Sequence, residues 1–383
     1  MLHYTGPPAI MLDSVFRSKS CSSDNEILHN RHVIFTHKGR SGLGLLCHHW
    51  NLKVGYEVLM PAYNCGTEID PFIYHGLRII FYRVNNEAQI DLNDLQRRVT
   101  TKTKVIYVTH YFGWSQNLDF LSTYCRENDI HLIEDCALSL FSNPVDHPIG
   151  VLGNAAIYSL PKTLPVPDGG MLTIPATQSF PEEPIEPPPL QVILIEMLSL
   201  LKRATLRLTD RLRIYRYLPK RLIQSRKRKG DEATTPAGFP EIPRSYYFNQ
   251  SVQKMTASGI SRYILDHSCS ASIVNQRREN YFQLSKSAKE TRLFQLLFDQ
   301  LPEGVCPLYF PVIVEDRKKV CNRLNEMGIA AMQWWSGYHR AFDWKEFPEA
   351  RYLKDHVLTI PIHQQLSSKN MDYISSSMAL IGN

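Results

Sequence analysis

Short apolar runs alternate with longer amphipathic stretches between about residue 33 and residue 175 of this 383-residue chain. The short runs are rich in β-branched and aromatic residues, which favours strands. The predicted strands are 57–60, 78–83, 104–109, 130–134, 155–160 and 171–174. The stretches between them have helical spacing, which predicts helices at 41–51, 69–75, 92–99 and 117–127. This order is typical of an α/β domain with a largely parallel sheet.

The last third of the chain has a different pattern, which indicates a smaller second domain. Its predicted elements are a long helix at 251–285, a strand at 311–314 and helices at 318–327 and 369–380. We therefore divide the chain into an N-terminal arm (1–32), a large domain (33–250) and a small C-terminal domain (251–383).

One segment carries most of the positive charge. The whole chain has a net charge of +6, whereas residues 190–229 contain twelve basic and two acidic residues. Apolar residues recur there at three- and four-residue steps, which predicts a helix with one apolar and one basic face. We interpret 187–232 as a basic amphipathic arm inserted in the large domain. Packing on protein, including a partner subunit, and contact with an anionic membrane surface both stay open, and we expect no nucleic-acid partner.

The remaining composition predicts a cytoplasmic protein rather than a secreted or membrane-spanning one. No uncharged apolar run reaches about 18 residues, and the first residues lack the layout of a secretion signal. The eight cysteines are scattered without a C-x-x-C pair, which predicts reduced thiols and no metal site. Peripheral association with the inner membrane surface through 190–229 remains the alternative localisation.

A glycine-rich turn precedes the first predicted helix and reads Lys38-Gly39-Arg40-Ser41-Gly42-Leu43-Gly44. A helix N-terminus offers unpaired N–H groups, and glycines let a phosphate approach them closely. The turn matches neither a P-loop nor G-x-G-x-x-G, so in isolation an ordinary helix start is the simpler interpretation.

Two later stretches add a carboxylate and an amine to this picture. The strand at 130–134 runs into Glu134 and Asp135, and ligands of open α/β sheets bind at the carboxyl ends of strands. A helix N-cap is the alternative role for Asp135. Lys162 follows 27 residues later, ahead of Gly169-Gly170. A phosphate turn, a strand-end acid and then a lysine is the order that a pyridoxal-phosphate enzyme requires.

In these three stretches the chain resembles the DegT/DnrJ/EryC1/StrS sugar aminotransferases, which belong to fold type I in the aspartate aminotransferase superfamily. The resemblance covers most of the chain. The matching stretches are 39–42 (phosphate turn), 55–65 (G-D-E-V-[IL]-x-P-x-[YF]-T-[CF]), 134–137 (E-D-[AC]-A), 159–170 (lysine loop), 275–281, 310–312, 328–329 and 358–363. Their order and spacing make the resemblance specific.

The resemblance implies a pyridoxal-phosphate-dependent transferase fold of type I. Its large domain would have a seven-stranded, mixed, mostly parallel sheet with helices on both faces, next to a smaller C-terminal α/β domain. It further implies a homodimeric transaminase with pyridoxal 5'-phosphate as cofactor. The expected reaction moves an amino group, most simply from glutamate, to a keto-sugar nucleotide in polysaccharide or secondary-metabolite biosynthesis.

The resemblance also implies roles for individual residues. Lys162 would be the Schiff-base lysine and proton shuttle, and Asp135 the partner of the pyridinium nitrogen. The other implied cofactor-binding residues are Arg40, Ser41, Gly42, Cys65, Leu138 and Ser159. The candidates for lining the substrate site are His110, Phe112, Trp335 and His339.

The chain departs from the family pattern at several of these positions. Leu138 stands where His or Gln usually packs by the cofactor, and Cys65 stands near the place of a stacking aromatic residue. Two alternatives therefore stay open. One is a protein of this fold without transaminase activity that acts as a membrane-recruited scaffold. The other is a pyridoxal-phosphate enzyme with a different outcome, such as dehydration, which relatives perform with His in place of the lysine, and Lys162 argues against it.

Overall fold

A seven-stranded mixed sheet forms the centre of the larger part of the molecule. The computed structural model describes residues 5–10, 30–178, 186–212 and 233–382. The strands are β1 (Arg31–Thr36), β2 (Glu57–Pro61), β3 (Arg78–Tyr82), β4 (Thr103–Thr109), β5 (His131–Asp135), β6 (Ala155–Ser159) and β7 (Gly170–Pro175). Their spatial order is β1-β7-β6-β5-β4-β2-β3. Only β7 runs antiparallel to its neighbours β1 and β6, so the sheet is mixed and mostly parallel, as predicted.

The first group of helices connects or follows these strands. They are α1 (Gly39–His49), α2 (Asp70–Tyr74), α3 (Leu92–Arg98), α4 (Asp119–Glu127), α5 (Leu160–Thr163) and α6 (Leu190–Arg211). The central strands β2 and β4 are buried along nearly their whole length, because helices cover both faces of the sheet. This explains why their sequences are continuous apolar runs.

A smaller antiparallel sheet lies in the C-terminal part. Its strands are β8 (Gln295–Leu296), β9 (Phe310–Ile313), β10 (Met332–Gln333) and β11 (Val357–Ile360), in the order β10-β11-β9-β8. The helices of this part are α7 (Gly259–Asp266), α8 (Ser270–Lys289), α9 (Arg317–Glu326), α10 (Pro348–His356) and α11 (Ser368–Gly382). The two sheets fall within the predicted large and small domains, while the domain boundaries themselves stay a prediction.

The prediction of one helix over 251–285 is wrong. A short 3-10 turn (Gln250–Val252) precedes two separate helices, α7 and α8. Ser258 ends the extended segment before α7, and its hydroxyl accepts a hydrogen bond from the Ser261 N–H. Serine is a preferred N-cap residue, so Ser258 starts a new helix. The helical spacing of apolar residues continues across this boundary, which is why the sequence pattern predicted a single helix.

Two other expectations concern the redox state of the cysteines and membrane-spanning helices. Cys47, Cys65, Cys125, Cys136, Cys306 and Cys321 are free thiols, but Cys269 is disulfide-bonded, contrary to the expectation of reduced cysteines. Within the described ranges, none of the helices combines the length and apolar character that a transmembrane segment needs. The segment 213–232 of the predicted arm lies outside the described residues.

Candidate active site

The carboxyl ends of parallel strands bring the predicted residues to one edge of the large sheet. Strands β2, β4, β5 and β6 are neighbours and run in the same direction. Asp135 is the last residue of β5, and Cys65, His110 and Lys162 follow the ends of the other three strands. This is the edge at which α/β sheets bind ligands, and the roles of these side chains there stay a prediction.

The glycine-rich turn and the lysine loop touch each other at this edge. A Cβ atom on Gly170 would lie 2.3 Å from the Gly39 nitrogen, and a Cβ on Gly39 would lie 2.9 Å from the Tyr158 carbonyl oxygen. Gly169 has a φ of +118°, a backbone conformation that favours glycine. The Gly-Gly pair therefore reflects a close backbone approach between the start of α1 and the start of β7.

Arg40, Ser41 and Gly42 form the first turn of α1 but play different parts. The Arg40 Nη1 atom donates to the Tyr246 carbonyl at 2.6 Å, while its Nε is buried without a hydrogen-bond partner among the described residues. Ser41 is fully buried, and its hydroxyl donates to the Val252 carbonyl at 3.2 Å. Gly42 packs close to Leu172 of β7. Of the Arg40 and Ser41 side chains, only that of Arg40 has a donor left for an anion among the described residues.

Asp135 is a buried carboxylate with little compensation for its charge. Only 7% of the residue is exposed, and Oδ1 accepts one hydrogen bond, from the Ala137 N–H at 2.9 Å. Burial raises the pKa of Asp135, the nearby Lys162 ammonium works against that rise, and the Glu68 carboxylate adds to it. A cationic ring nitrogen bound beside Asp135 would supply the missing compensation.

Lys162 lies on α5, a single helical turn that the small domain holds in place. The carbonyl oxygen of Thr163 accepts hydrogen bonds from Gln364 at 3.0 Å and from Arg277 at 3.4 Å. Arg277 is only 1% exposed and also donates to the Pro307 and Leu308 carbonyls. The helical turn α5, which carries Lys162, is thus held by the buried guanidinium of Arg277 on α8.

Cys65 is held by an acid that the sequence analysis did not single out. Its N–H donates to Glu68 Oε1 at 3.1 Å and its thiol to Glu68 Oε2 at 2.8 Å. Burial and the Glu68 charge raise the pKa of the Cys65 thiol to about 12, so the thiol stays protonated and is a poor nucleophile. The signal available in the sequence was an acid three residues after the cysteine, a spacing that permits this local turn.

Lys354 is a second residue that the sequence analysis missed. Lys354 lies on α10, and its buried ammonium donates to the carbonyls of Asn64 (2.6 Å), Gly337 (2.8 Å) and Trp335 (3.2 Å). Burial lowers the pKa of Lys354 to about 8. The contacts tie the Cys65 loop to the Trp335 loop of the small domain. A lysine in an amphipathic helix gives no sign of this role in the sequence.

The structure places the remaining predicted cofactor residues near the same edge. Leu138 is buried and directly follows Ala137, whose N–H binds Asp135, and its side chain can contribute packing but no hydrogen bond. Ser159 ends β6, half-buried and paired with Gly170 in the sheet register. Contact of either residue with a cofactor stays a prediction.

Of the four predicted substrate-lining residues, three are withdrawn from solvent. His110 is fully buried between the Glu134 carboxylate (2.9 Å) and the Gln116 N–H (3.0 Å). His339 is 3% exposed and binds Asp70 at 2.8 Å. Phe112 packs inside an aromatic cluster with Trp334 and Phe298. Only Trp335 is part-exposed, so a lining role for the other three would require the surrounding loops to open.

The sheet order and the site at its edge define a fold type I, pyridoxal-phosphate-dependent transferase fold. Residues 25–178, less than half of the chain, match the model of the DegT/DnrJ/EryC1/StrS aminotransferase family. The match includes the glycine-rich turn, Cys65, Asp135, Ser159 and Lys162. The resemblance stated from the motifs is thereby confirmed over the portion that carries them.

Individual relatives are similar to the chain over part of their length. GDP-perosamine synthase of Vibrio cholerae is 25% identical over 150 residues, which cover 38% of this chain and 41% of that protein. The chain thus spans less than half the length of the curated relatives that it matches first. Such partial matches support the family and leave the activity of this chain to be proposed.

Solved structures match the fold over nearly the whole chain. Helicobacter pylori PseC, an aminotransferase involved in the biosynthesis of pseudoaminic acid, superposes with a TM-score of 0.65 at 14% identity, covering 100% of this chain and 99% of that chain. Escherichia coli GDP-4-keto-6-deoxy-D-mannose-3-dehydratase with bound hydrated PLP gives 0.65 at 18% identity, covering 99% and 100%. At these identities the similarity shows the fold alone.

Proposed function

We propose that the protein is a pyridoxal-phosphate-dependent aminotransferase. The observation that carries the proposal is the position of Lys162, near enough to the buried Asp135 to oppose the rise of its pKa, at the sheet edge beside the glycine-rich turn that starts α1. A lysine amine, a buried carboxylate and an anion cradle are the three groups that this cofactor needs. The match of residues 25–178 to the aminotransferase family model supports the same conclusion.

The residues present fit the cofactor. Asp135 is a buried acid whose raised pKa reflects a charge without sufficient partners. Arg40 offers a buried Nε without a hydrogen-bond partner among the described residues, and the first turn of α1 adds N–H groups of the kind that bind phosphates. Bound pyridoxal phosphate would supply an aldehyde that condenses with amines and a ring that withdraws electrons from the reacting carbon.

The side chains of this chain would then have distinct tasks. Lys162 would hold the cofactor through its amine and, once displaced by the amino donor, carry a proton from the substrate α-carbon on Nζ. Asp135 would hold the proton on the ring nitrogen, because its carboxylate is stabilised by a cation at that position. Arg40 would bind the phosphate. Arg277 and Gln364, acting through the Thr163 carbonyl, would keep the lysine turn in position.

The substrates, assembly and location are part of the proposal. The relative GDP-perosamine synthase is named for a nucleotide-linked sugar, which supports a keto-sugar nucleotide as acceptor, with glutamate as the amino donor. A homodimer follows from the same family resemblance. A cytoplasmic location with peripheral membrane contact fits the basic segment 190–229.

The proposal is tested by absorbance spectra of the purified protein with added pyridoxal phosphate. We expect a band of the bound cofactor that is lost in Lys162→Ala and converted on addition of glutamate. Lys345→Ala is the matched control, because Lys345 is exposed and pairs only with Asp343 in the described structure. Absence of the band in the wild-type protein would refute the proposal. A band that glutamate and other amino donors leave unchanged would favour the scaffold or another reaction type.

A further inference from the structure

A group of three side chains joins the end of β1, the lysine loop and α6. His37 follows β1, Asp168 directly precedes Gly169-Gly170, and Glu196 lies on α6. The side chains of His37 and Asp168 are at most 1% exposed, and that of Glu196 is 23% exposed. The three residues are far apart in the sequence, so no spacing pattern predicts that they meet.

Each of these side chains has a buried polar atom without a hydrogen-bond partner among the described residues. The atoms are His37 Nδ1, Asp168 Oδ2 and Glu196 Oε2. Buried polar atoms are nearly always paired, so each unpaired one requires an explanation. Because the three come from separate elements and lie in one place, they point to a ligand that binds all three side chains.

The distances within the group suit ligands around one metal ion better than hydrogen bonds. His37 Nδ1 lies 3.7 Å from Asp168 Oδ2, and His37 Nε2 lies 3.6 Å from Glu196 Oε1, whereas hydrogen bonds are about 2.7–3.2 Å long. Two atoms bound to one zinc ion lie about 3.4 Å apart in a tetrahedral site and at most about 4.4 Å apart. One nitrogen of His37 and one oxygen of each acid lie within 4.8 Å of one another. A small rotation of the part-exposed Glu196 side chain would therefore complete the site.

The Asp168 carboxylate is already oriented for such an ion. Its Oδ1 atom accepts hydrogen bonds from the Ser258 N–H (2.9 Å), the Ser258 hydroxyl (3.0 Å) and the Ser261 hydroxyl (2.8 Å). The main chain of His37 is held by the same loop, since its carbonyl accepts from the Gly169 N–H at 2.9 Å. Outer partners of this kind orient metal ligands, and here they leave Asp168 Oδ2 facing His37.

The charge of the group favours a divalent cation. In the part of the chain that the structure describes, the only cation paired with either acid besides His37 is Lys38, whose Nζ lies 3.9 Å from Glu196 Oε1 on a side chain that is 44% exposed. A neutral imidazole and two carboxylates balance a doubly charged ion. This mixed nitrogen and oxygen donor set suits Zn²⁺, with water in the remaining position.

A second group of possible metal ligands lacks these features. One atom each of His110, Glu134 and Cys136 also lie within 4.8 Å of one another. The Glu134 oxygens, however, accept hydrogen bonds from His110 and from the N–H groups of Gly150 and Gly153. That group is therefore explained as a hydrogen-bond network.

We propose that His37, Asp168 and Glu196 bind one Zn²⁺ ion and that this ion fastens α6 to the lysine loop. The Gly169-Gly170 pair after Asp168 contacts the start of α1, so the ion would also stiffen the backbone at the glycine-rich turn. This site goes beyond the proposed enzymatic function and does not depend on the cofactor.

The site is tested by zinc binding to the full-length protein, prepared without a histidine tag and treated with a chelator. Equilibrium dialysis followed by metal analysis should give one ion per chain. Asp168→Asn keeps an oxygen for the serine donors but loses the charge, and it should weaken binding by about a hundredfold or more. His32→Gln is the matched control, because His32 is an exposed histidine of β1 that contacts the Ala176 carbonyl. It should bind zinc like the wild type. Absence of zinc binding in the wild type, or equal binding in Asp168→Asn, would overturn the proposal.

Two further measurements keep the test independent of variants that fold poorly. Co²⁺ bound to the wild-type protein should show weak visible bands without a thiolate charge-transfer band. A strong thiolate band would place the ion on a cysteine such as Cys136 and overturn the proposal. Hydrogen exchange of peptides from 190–201 should slow by about tenfold when zinc is added to the wild type, and should not change in Glu196→Gln. Unchanged exchange in the wild type would show that the ion does not hold α6. None of these results depends on the absorbance band that tests the enzymatic function.

Discussion

Glu134 and Asp135 are consecutive residues at the end of β5 with almost the same burial but opposite electrostatic surroundings. Their side chains point to opposite faces of the sheet. Glu134 accepts hydrogen bonds from His110 (2.9 Å), Gly150 N–H (2.7 Å) and Gly153 N–H (2.6 Å). Asp135 accepts one, from the Ala137 N–H. At the end of β5, the carboxylate on one face of the sheet (Glu134) therefore has more hydrogen-bond donors than the carboxylate on the other face (Asp135).

The pKa directions follow from this difference. Burial alone would raise the pKa of Glu134, but His110 and the two glycine N–H groups outweigh it, so the pKa is lowered. For Asp135 burial prevails, Lys162 offsets it in part, and the pKa is raised. The direction of each pKa shift therefore depends on the neighbours of the acid and not on burial alone. The donors around Glu134 outweigh its burial, whereas the Ala137 N–H, the Tyr107 hydroxyl and Lys162 only partly offset the burial of Asp135.

The largest effect is expected from Glu134→Ala. The change leaves His110, Gly150 and Gly153 with buried donors that have lost their acceptor. We expect the free energy of unfolding to fall by about 3–5 kcal/mol. Urea unfolding measures it, and Glu134→Gln, which keeps one acceptor oxygen, should cost clearly less. Equal stability of Glu134→Ala and the wild type would mean that the network contributes nothing to the fold.

Asp135→Asn should have the opposite profile. We expect the apoprotein to be as stable as the wild type or more stable at neutral pH, because the folded state no longer holds a poorly compensated charge. Binding of pyridoxal phosphate, followed by the absorbance band, should weaken by about tenfold or more, since the ring nitrogen loses its counter-charge. A large loss of stability without loss of cofactor binding would show that Asp135 is structural.

The pH dependence of unfolding separates the two acids further. The stabilisation by Glu134 is fully present above its unfolded-state pKa, near 4.5, and is lost as the pH falls towards the lower folded-state pKa. The penalty from Asp135 is fully present above its raised folded-state pKa and disappears as the pH falls towards its unfolded-state value, near 3.8. At neutral pH the wild type should therefore be more stable than Glu134→Gln and no more stable than Asp135→Asn. Both differences in the free energy of unfolding should shrink as the pH falls.

The sequence predicted the parts of the site that depend on strand order. Asp135 and Lys162 follow strands with clear apolar runs, and parallel strands necessarily bring their carboxyl ends together. Strand β1 was not predicted, because its Arg31-His32 start has little strand character and its ladder depends on distant β7. Arg277 and Lys354 were not recognised as site residues for a related reason. Their acceptors are backbone carbonyls remote in sequence, at Thr163 and Asn64, and only the folded chain brings them within reach.

The smallest effect is expected from Glu68→Gln, which should change the reactivity of the Cys65 thiol near Asp135. Glu68→Gln removes a charge that raises the pKa of both the Cys65 thiol and Asp135. The variant should therefore form the Cys65 thiolate at lower pH, and its alkylation rate at a fixed alkaline pH should rise about tenfold for each unit of pKa lost. Peptide-resolved mass spectrometry measures this rate.

Cys47 is the internal control for this measurement. Burial raises the pKa of its thiol to about 12, without a carboxylate partner among the causes. Its alkylation rate should consequently be the same in Glu68→Gln and in the wild type. If both cysteines became more reactive, the variant would have loosened the fold and the charge of Glu68 would explain nothing. If only Cys65 responded, the charge of Glu68 would account for part of the raised pKa of the Cys65 thiol, and the same charge lies beside Asp135.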